Sequence, residues 1–183
     1  IEGFSKGLTY RMSNYFDFQS KQSEQVTVSI HPKADFREIL QTLESIHFPD
    51  FVTNAENIKY AVLEMISNSL RAHRERKVNK QVIAVFRAEN SKVDIEVKDF
   101  GGGFDPKRLP YPIEAPAETI DQTSDAFEEY QEKYNYLRFG MGLLVTKKTF
   151  PSFQLIFFDE EEQPVQWGES EVIGTVIRVS TNG

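Results

Sequence analysis

The sequence predicts an α+β domain, a two-layer sandwich with helices on one face of a mixed, mainly antiparallel sheet. Two observations lead there. Read along the chain, the apolar periodicities run strand, helix, helix, two strands, a long connection, helix, two strands, an order that gathers the helices on one side of a sheet. The strands also alternate apolar and charged residues, as in Val93-Asp94-Ile95-Glu96-Val97-Lys98. That alternation fits a sheet with one solvated face and argues against a fully covered parallel sheet. The length agrees: 183 residues, 39% hydrophobic and 27% charged, supply one domain with a sizeable core.

Residues 1–23 carry Phe4, Tyr10, Tyr15, Phe16 and Phe18 without a clean period. They read as an arm, linker or packing extension ahead of a domain over residues 24–183, and their exposed aromatics suit a homodimer arm. Because the chain opens with Ile1 instead of Met, it reads as a fragment of something longer. Val26, Val28 and Ile30 then alternate as in a half-buried strand. Phe36, Ile39, Leu40, Leu43 and Ile46 recur at helical spacing, predicting a helix of about four turns that ends before Phe48-Pro49. Thr53-Asn54-Ala55-Glu56 has the pattern of a capping box. The helix it opens carries Ile58, Ala61, Val62 and Met65 as one stripe, widened by Leu63, Ile66 and Leu70. Glu64 and Asn68 fall one turn apart at the border of that arc, where residues lining a pocket mouth sit.

Gln81–Ala88 and Lys92–Asp99 read as two strands joined by Glu89-Asn90-Ser91. Asp99 stands at the end of the second, facing away from Lys98. Gly101-Gly102-Gly103 ends regular structure there. Residues 105–139 follow, a 35-residue connection that reads as a functional lid or a disordered stretch. Gly140-Met141-Gly142 opens a short helix, Leu143–Phe150, closed by Pro151. Phe153–Asp159 and Val172–Ser180 form a closing antiparallel pair around an acidic turn.

Charge and composition exclude several functions. Lys and Arg number 21 against 28 acids, a net charge of −7, which argues against a general nucleic-acid binder. Seven of those acids (Glu114, Glu118, Asp121, Asp125, Glu128, Glu129, Glu132) lie in the connection without one base among them, so the excess belongs to that segment. No run approaches the roughly 18 apolar residues that span a bilayer, so no membrane association is expected. Zero Cys excludes a disulfide framework, a thiol nucleophile and a thiolate metal site, and agrees with a cytoplasmic location. Three scattered His make no structural zinc site.

Three motifs bear chemistry. In Asp99-Phe100-Gly101-Gly102-Gly103, a strand-end carboxylate can accept a hydrogen bond from an exocyclic amine such as that of adenine, while glycines let the backbone approach a flat ring or phosphate. A solvated turn is the plain alternative. In Gly140-Met141-Gly142-Leu143, a helix N-terminus with small residues offers N–H groups to an anion; a glycine hinge is the alternative. It lacks the Lys-Ser/Thr of a Walker loop. Lys147 and Lys148 downstream are phosphate partners or plain surface lysines. In Glu64-x-x-x-Asn68, an amide oxygen is a hard ligand for magnesium, and a carboxylate one turn away can deprotonate a hydroxyl. Alone, that spacing equally describes a solvated pair.

Taken together with Gly174-Thr175 in the last strand, these motifs resemble, in order and on the expected elements, the boxes of the GHKL ATPase superfamily, which includes gyrase, histidine kinases and MutL. Gly103-Phe104-Asp105-Pro106 resembles the anti-sigma-factor serine/threonine kinase branch. The helix Glu64–Ala72 also resembles its MutL counterpart. The resemblance implies a Bergerat ATP-binding fold, with magnesium held through Asn68 and the adenine amine bound by Asp99, supported by Thr175. It further implies nucleotide loops shaped by Gly101, Gly103, Gly140, Gly142 and Leu143, and Glu64 as the base that activates a Ser or Thr of a small regulatory protein. That partner would be an anti-anti-sigma-like substrate or a sigma-factor-like target. A histidine kinase catalytic domain and a non-catalytic docking module are the alternatives. Where the kinase branch often places His four residues after the box Asn, this chain has Ala72, followed by His73, which reads as a surface or packing residue. Coulomb repulsion disfavours seven carboxylates over an anionic nucleotide, so phosphate contacts are expected from the lid's ends. Arg138 is the first choice there, with Lys133, Lys107 or Arg108 as alternatives.

Overall fold

The computed structural model describes residues 9–13, 16–21, 25–89, 91–135 and 141–181. Arg138 and Gly140 lie outside the described residues. Strand alternation decides what faces the helices. In β3 (Gln25–Ile30), β4 (Val82–Glu89) and β5 (Lys92–Asp99), one face buries Val28, Ile30, Ala84, Phe86, Ile95 and Val97 in the main core. Register places Glu96 opposite Arg178 and Asp94 opposite Ser180 on the other face. With β1 (Thr9–Ser13), β2 (Phe16–Lys21), β6 (Ser152–Phe158), β7 (Pro164–Val165) and β8 (Gly174–Ser180), the sheet runs β1-β2-β3-β4-β5-β8-β6-β7.

Every pairing between these strands is antiparallel, so the mixed sheet expected from sequence is antiparallel throughout its described strands. The unpatterned N-terminal segment supplies two of those strands, and its backbone continues the sheet through the β2–β3 pairing, Phe16↔Ile30 to Lys21↔Gln25. The helices cover one face, as predicted: α1 (Phe36–Glu44), α2 (Ala55–Arg76) and α4 (Gly142–Thr149) share that core through Leu43, Ile58, Met65, Ile66, Leu70 and Leu143.

Two local expectations are corrected. α1 has nine residues, not about four turns. Ser45 ends it by turning its hydroxyl onto the carbonyl of Thr42, 2.7 Å away, the local competition through which Ser disfavours helix continuation. The capping box belongs to this helix, with Asp35 Oδ1 accepting from the Glu38 N–H at 2.9 Å and Glu38 Oε2 accepting from the Asp35 N–H at 3.2 Å. At α2 the cap is Asn54, which makes no side-chain bond to the helix. One residue of displacement puts Glu56 at the second helical position, out of reach of the cap, and it pairs instead with Lys59 at 3.3 Å.

The long connection is ordered over its described residues. It contains two short 3-10 turns, Pro106–Arg108 and Ala117–Thr119, and a helix, α3 (Asp125–Lys133). Its core is a small second cluster in which Phe127 stacks on Tyr111, ring centroids 5.7 Å apart, beside Ala117 and Leu144 of α4. Lys147 Nζ donates to the carbonyls of Ile113 and Ala115. The lysine that sequence offered as a phosphate partner therefore ties the connection to α4, while Lys148 is exposed.

His73 fastens α2 to the end of β5. It is fully buried; Nδ1 lies 3.0 Å from the carbonyl of Lys80, and Nε2 accepts from the Phe100 N–H at 2.8 Å. Those partners require a neutral ring protonated at Nδ1. Burial lowers its pKa from 6.5, outweighing the opposing pull of the Asp99 carboxylate and the Lys80 carbonyl. The unfolded imidazole takes up a proton as pH falls through its ordinary value, and the native one resists. Stability is therefore complete above about pH 6.5 and falls below it by up to about 1.4 kcal/mol per pH unit. Urea denaturation at pH 8, 7, 6 and 5 is expected to show this decline. His73→Gln, less stable at pH 8, is expected to show a flatter profile across the same range.

Candidate functional site

α2, β5, β8 and the start of α4 surround a cleft of about 820 Å³, within the usual range for a small-molecule site. Eight of the residues expected from sequence line it together: Glu64, Asn68, Asp99, Gly101, Gly103, Gly142, Leu143 and Thr175. Antiparallel register explains one end, since Asp99 and Thr175 are direct partners across β5 and β8 and point to the helix side.

Asp99 is buried, 6% exposed. Its Oδ1 accepts from the Gly101 N–H at 2.7 Å, and its Oδ2 accepts from the Ser69 hydroxyl at 3.2 Å and from the Thr175 hydroxyl. All three donors are neutral. A carboxylate offers about four lone-pair sites, so three are taken and one, on Oδ1, is left for a donor entering the cleft. That arrangement suits an amine on the edge of a flat heterocycle.

The opposite end is built where α2 meets α4. Gly142 allows that meeting, because a Cβ there would sit 2.6 Å from Asn68 Nδ2 and 3.2 Å from Glu64 Oε2. With no side chain between them, Asn68 and Glu64 lie against the first turn of α4 and make a cradle at a helix end that attracts anions. Asn68 Oδ1 accepts from the guanidinium of Arg71, which leaves one of its two lone pairs. The described residues hold no group of three or more His, Asp or Glu suited to a metal. One amide oxygen with Glu64 nearby fits magnesium, which takes few protein ligands and arrives with its phosphates. A free divalent ion beside the Arg71 charge fits poorly.

Of the cations expected at the cleft, Arg138 lies outside the described residues. Arg108 lines the cleft, but Lys107 and Lys133 line a second groove against α3 instead. Arg71 and Arg76, both on α2, also line the cleft and were missed by the motif reading. Glu64, Asn68, Arg71 and Glu75 recur at i, i+4, i+7 and i+11, one polar stripe on a helix, and following that stripe past the motif would have found Arg71. None of the seven lid carboxylates lines the cleft; α3 presents Tyr130 and Gln131 to it instead, with Tyr134 just beyond. The electrostatic expectation of an acidic segment turned away from this opening agrees with that placement.

Thr175→Val removes one donor from the buried carboxylate and keeps the shape of the side chain. The variant is expected to lose on the order of 1–3 kcal/mol of stability, read as a lower urea midpoint at unchanged slope.

A comparison with curated proteins finds no match. Residues 33–155, by contrast, match the family described as the histidine kinase-like ATPase domain. That span takes in α1, α2, the strand-end carboxylate, the lid and α4, leaving β8 to complete the cleft. By this match over more than half its length the chain belongs to the histidine kinase-like ATPase domain family, and the nucleotide such a domain binds is ATP.

Proposed function

We propose that the domain binds magnesium-ATP in this cleft and transfers the γ-phosphate to a Ser or Thr hydroxyl of a small regulatory protein of the anti-anti-sigma kind. The adenine lies at Asp99 and Thr175, and the phosphates lie at Asn68, Arg71 and the first turn of α4. The observation that carries this reading is the position of Glu64. Its carboxylate sits at the phosphate cradle, beside Gly142, while Asp99 waits at the far end with one acceptor site open.

Magnesium, held through Asn68, would neutralise phosphate charge. Arg71, already bonded to Asn68, balances charge on the same phosphates, with Arg138 an additional partner from the lid's end. Glu64 accepts the proton of the attacking hydroxyl as its oxygen bonds to phosphorus. The bond from phosphorus to the bridging oxygen breaks, and ADP leaves with that electron pair. Such transfers depend on positioning and charge stabilisation more than on covalent chemistry. The three neutral side chains of the lid, Tyr130, Gln131 and Tyr134, close over the nucleotide without adding negative charge. This reading fits a cytoplasmic protein.

Glu64→Ala is expected to bind ATP with near-native affinity and to lose about 10²–10⁴-fold in transfer rate, the usual contribution of a general base. Asn68→Ala is expected to lose the magnesium-dependent part of nucleotide affinity. Calorimetry and radiolabel transfer measure the two. Label that survives acid and is lost in alkali marks a hydroxyl acceptor, whereas acid-labile label marks a histidine acceptor and overturns the Ser/Thr assignment. Transfer by Glu64→Ala at the native rate overturns the role of Glu64.

A further inference from the structure

The hairpin between β6 and β8 brings a second kind of surface to the cleft. Trp167, the chain's single Trp, follows β7 and is 36% exposed, a large apolar ring left partly open. Its position is fixed from behind. The ring leans on Phe157, centroids 5.4 Å apart at 55°, and a turn closed by the Glu169 N–H on the Gln166 carbonyl holds the loop. From below, Gly103 permits the approach: at φ 63° it has no side chain, and a Cβ there would lie 3.1 Å from Trp167 Cζ3. Phe157 is in turn the β6 partner of Thr175, whose hydroxyl holds Asp99. A run of neighbours, Trp167 to Phe157 to Thr175 to Asp99, thus links the indole to the carboxylate, and both line the same cleft.

Asp99 and Thr175 hold the edge of a bound ring and do nothing for its faces. A flat heterocycle fixed only at its edge remains free to swing, and a purine face stacks readily on an aromatic side chain whatever its substituents. Exposure of so large a ring at this point is otherwise unfavourable, because its apolar area stays in water. We infer that Trp167 stacks on the nucleobase as the outer wall of the base pocket, raising affinity without choosing among bases. The inference rests on the nucleotide reading of the cleft.

ADP is the probe. Titrating it into the wild-type protein is expected to change the indole emission, which comes from this residue alone, at the affinity that calorimetry gives. Trp167→Ala is expected to bind ADP about tenfold more weakly, the lower part of the range for one lost base–aromatic stack. Trp167→Phe keeps a ring and is expected to stay within about threefold of wild type on the same grounds. Unchanged emission at saturating ADP, native affinity in Trp167→Ala, or a loss in Trp167→Phe as large as in Trp167→Ala would each overturn the inference. The last would assign the effect to packing of the hairpin. A wild-type protein that binds no ADP by calorimetry would instead overturn the nucleotide reading, and this inference with it.

Discussion

A buried carboxylate with no room for error organises this domain. Taking an anion out of water costs several kcal/mol unless its lone pairs are met, and Asp99 meets the demand with donors from three places. Ser69 comes from α2, Thr175 from β8 and the Gly101 N–H from the glycine loop. Satisfying one side chain therefore fixes the helix, two strands and a turn against one another. His73, one turn further along α2, repeats the constraint from the other side of the strand end by tying down the Phe100 N–H. The same bonds that stabilise the fold aim the remaining acceptor site into the cleft, so stability and recognition are one arrangement here.

Charge is sorted with similar economy. The seven acids of the lid would repel a polyphosphate if they faced it; none lines the cleft, and α3, which carries four of them, buries Phe127 against Tyr111. That single buried residue sets the rotation of the helix, which leaves Tyr130, Gln131 and Tyr134 toward the opening. Lys147 holds the preceding loop to α4 by its carbonyls. The guanidinium of Arg71, by contrast, stands at the Asn68 end, where negative charge is welcome.

Much of this is legible in the amino-acid sequence. The fold class followed from strand alternation, because a sheet covered on one side imposes that pattern on Val93, Ile95 and Val97 and on the charged residues between them. The motif residues were legible because each needs a special backbone, a strand end or a close approach, which leaves a mark in the sequence. Other features left none. α3 buries one residue, Phe127, and so has no apolar stripe to find. β1 pairs with β2, and β2 with β3, through the backbone, which residue type does not encode. The cap moved from Thr53 to Asn54 through a shift of one residue, below the resolution of pattern matching. Trp167 joins the cleft through the hairpin's packing on Phe157, a contact between residues whose spacing carries no periodic signal.

The place of β8 has a consequence for synthesis. It is the last strand of the domain in sequence, yet it lies inside the sheet between β5 and β6, paired with residues some 80 positions earlier. Closing such distant pairings is slow, because chain entropy is lost before contacts repay it. A nascent chain that has emerged as far as α4 already displays Glu64, Asn68 and Asp99 but still lacks Thr175. Until β8 pairs with β5, the buried carboxylate lacks one of its three donors and the cleft lacks one of its walls.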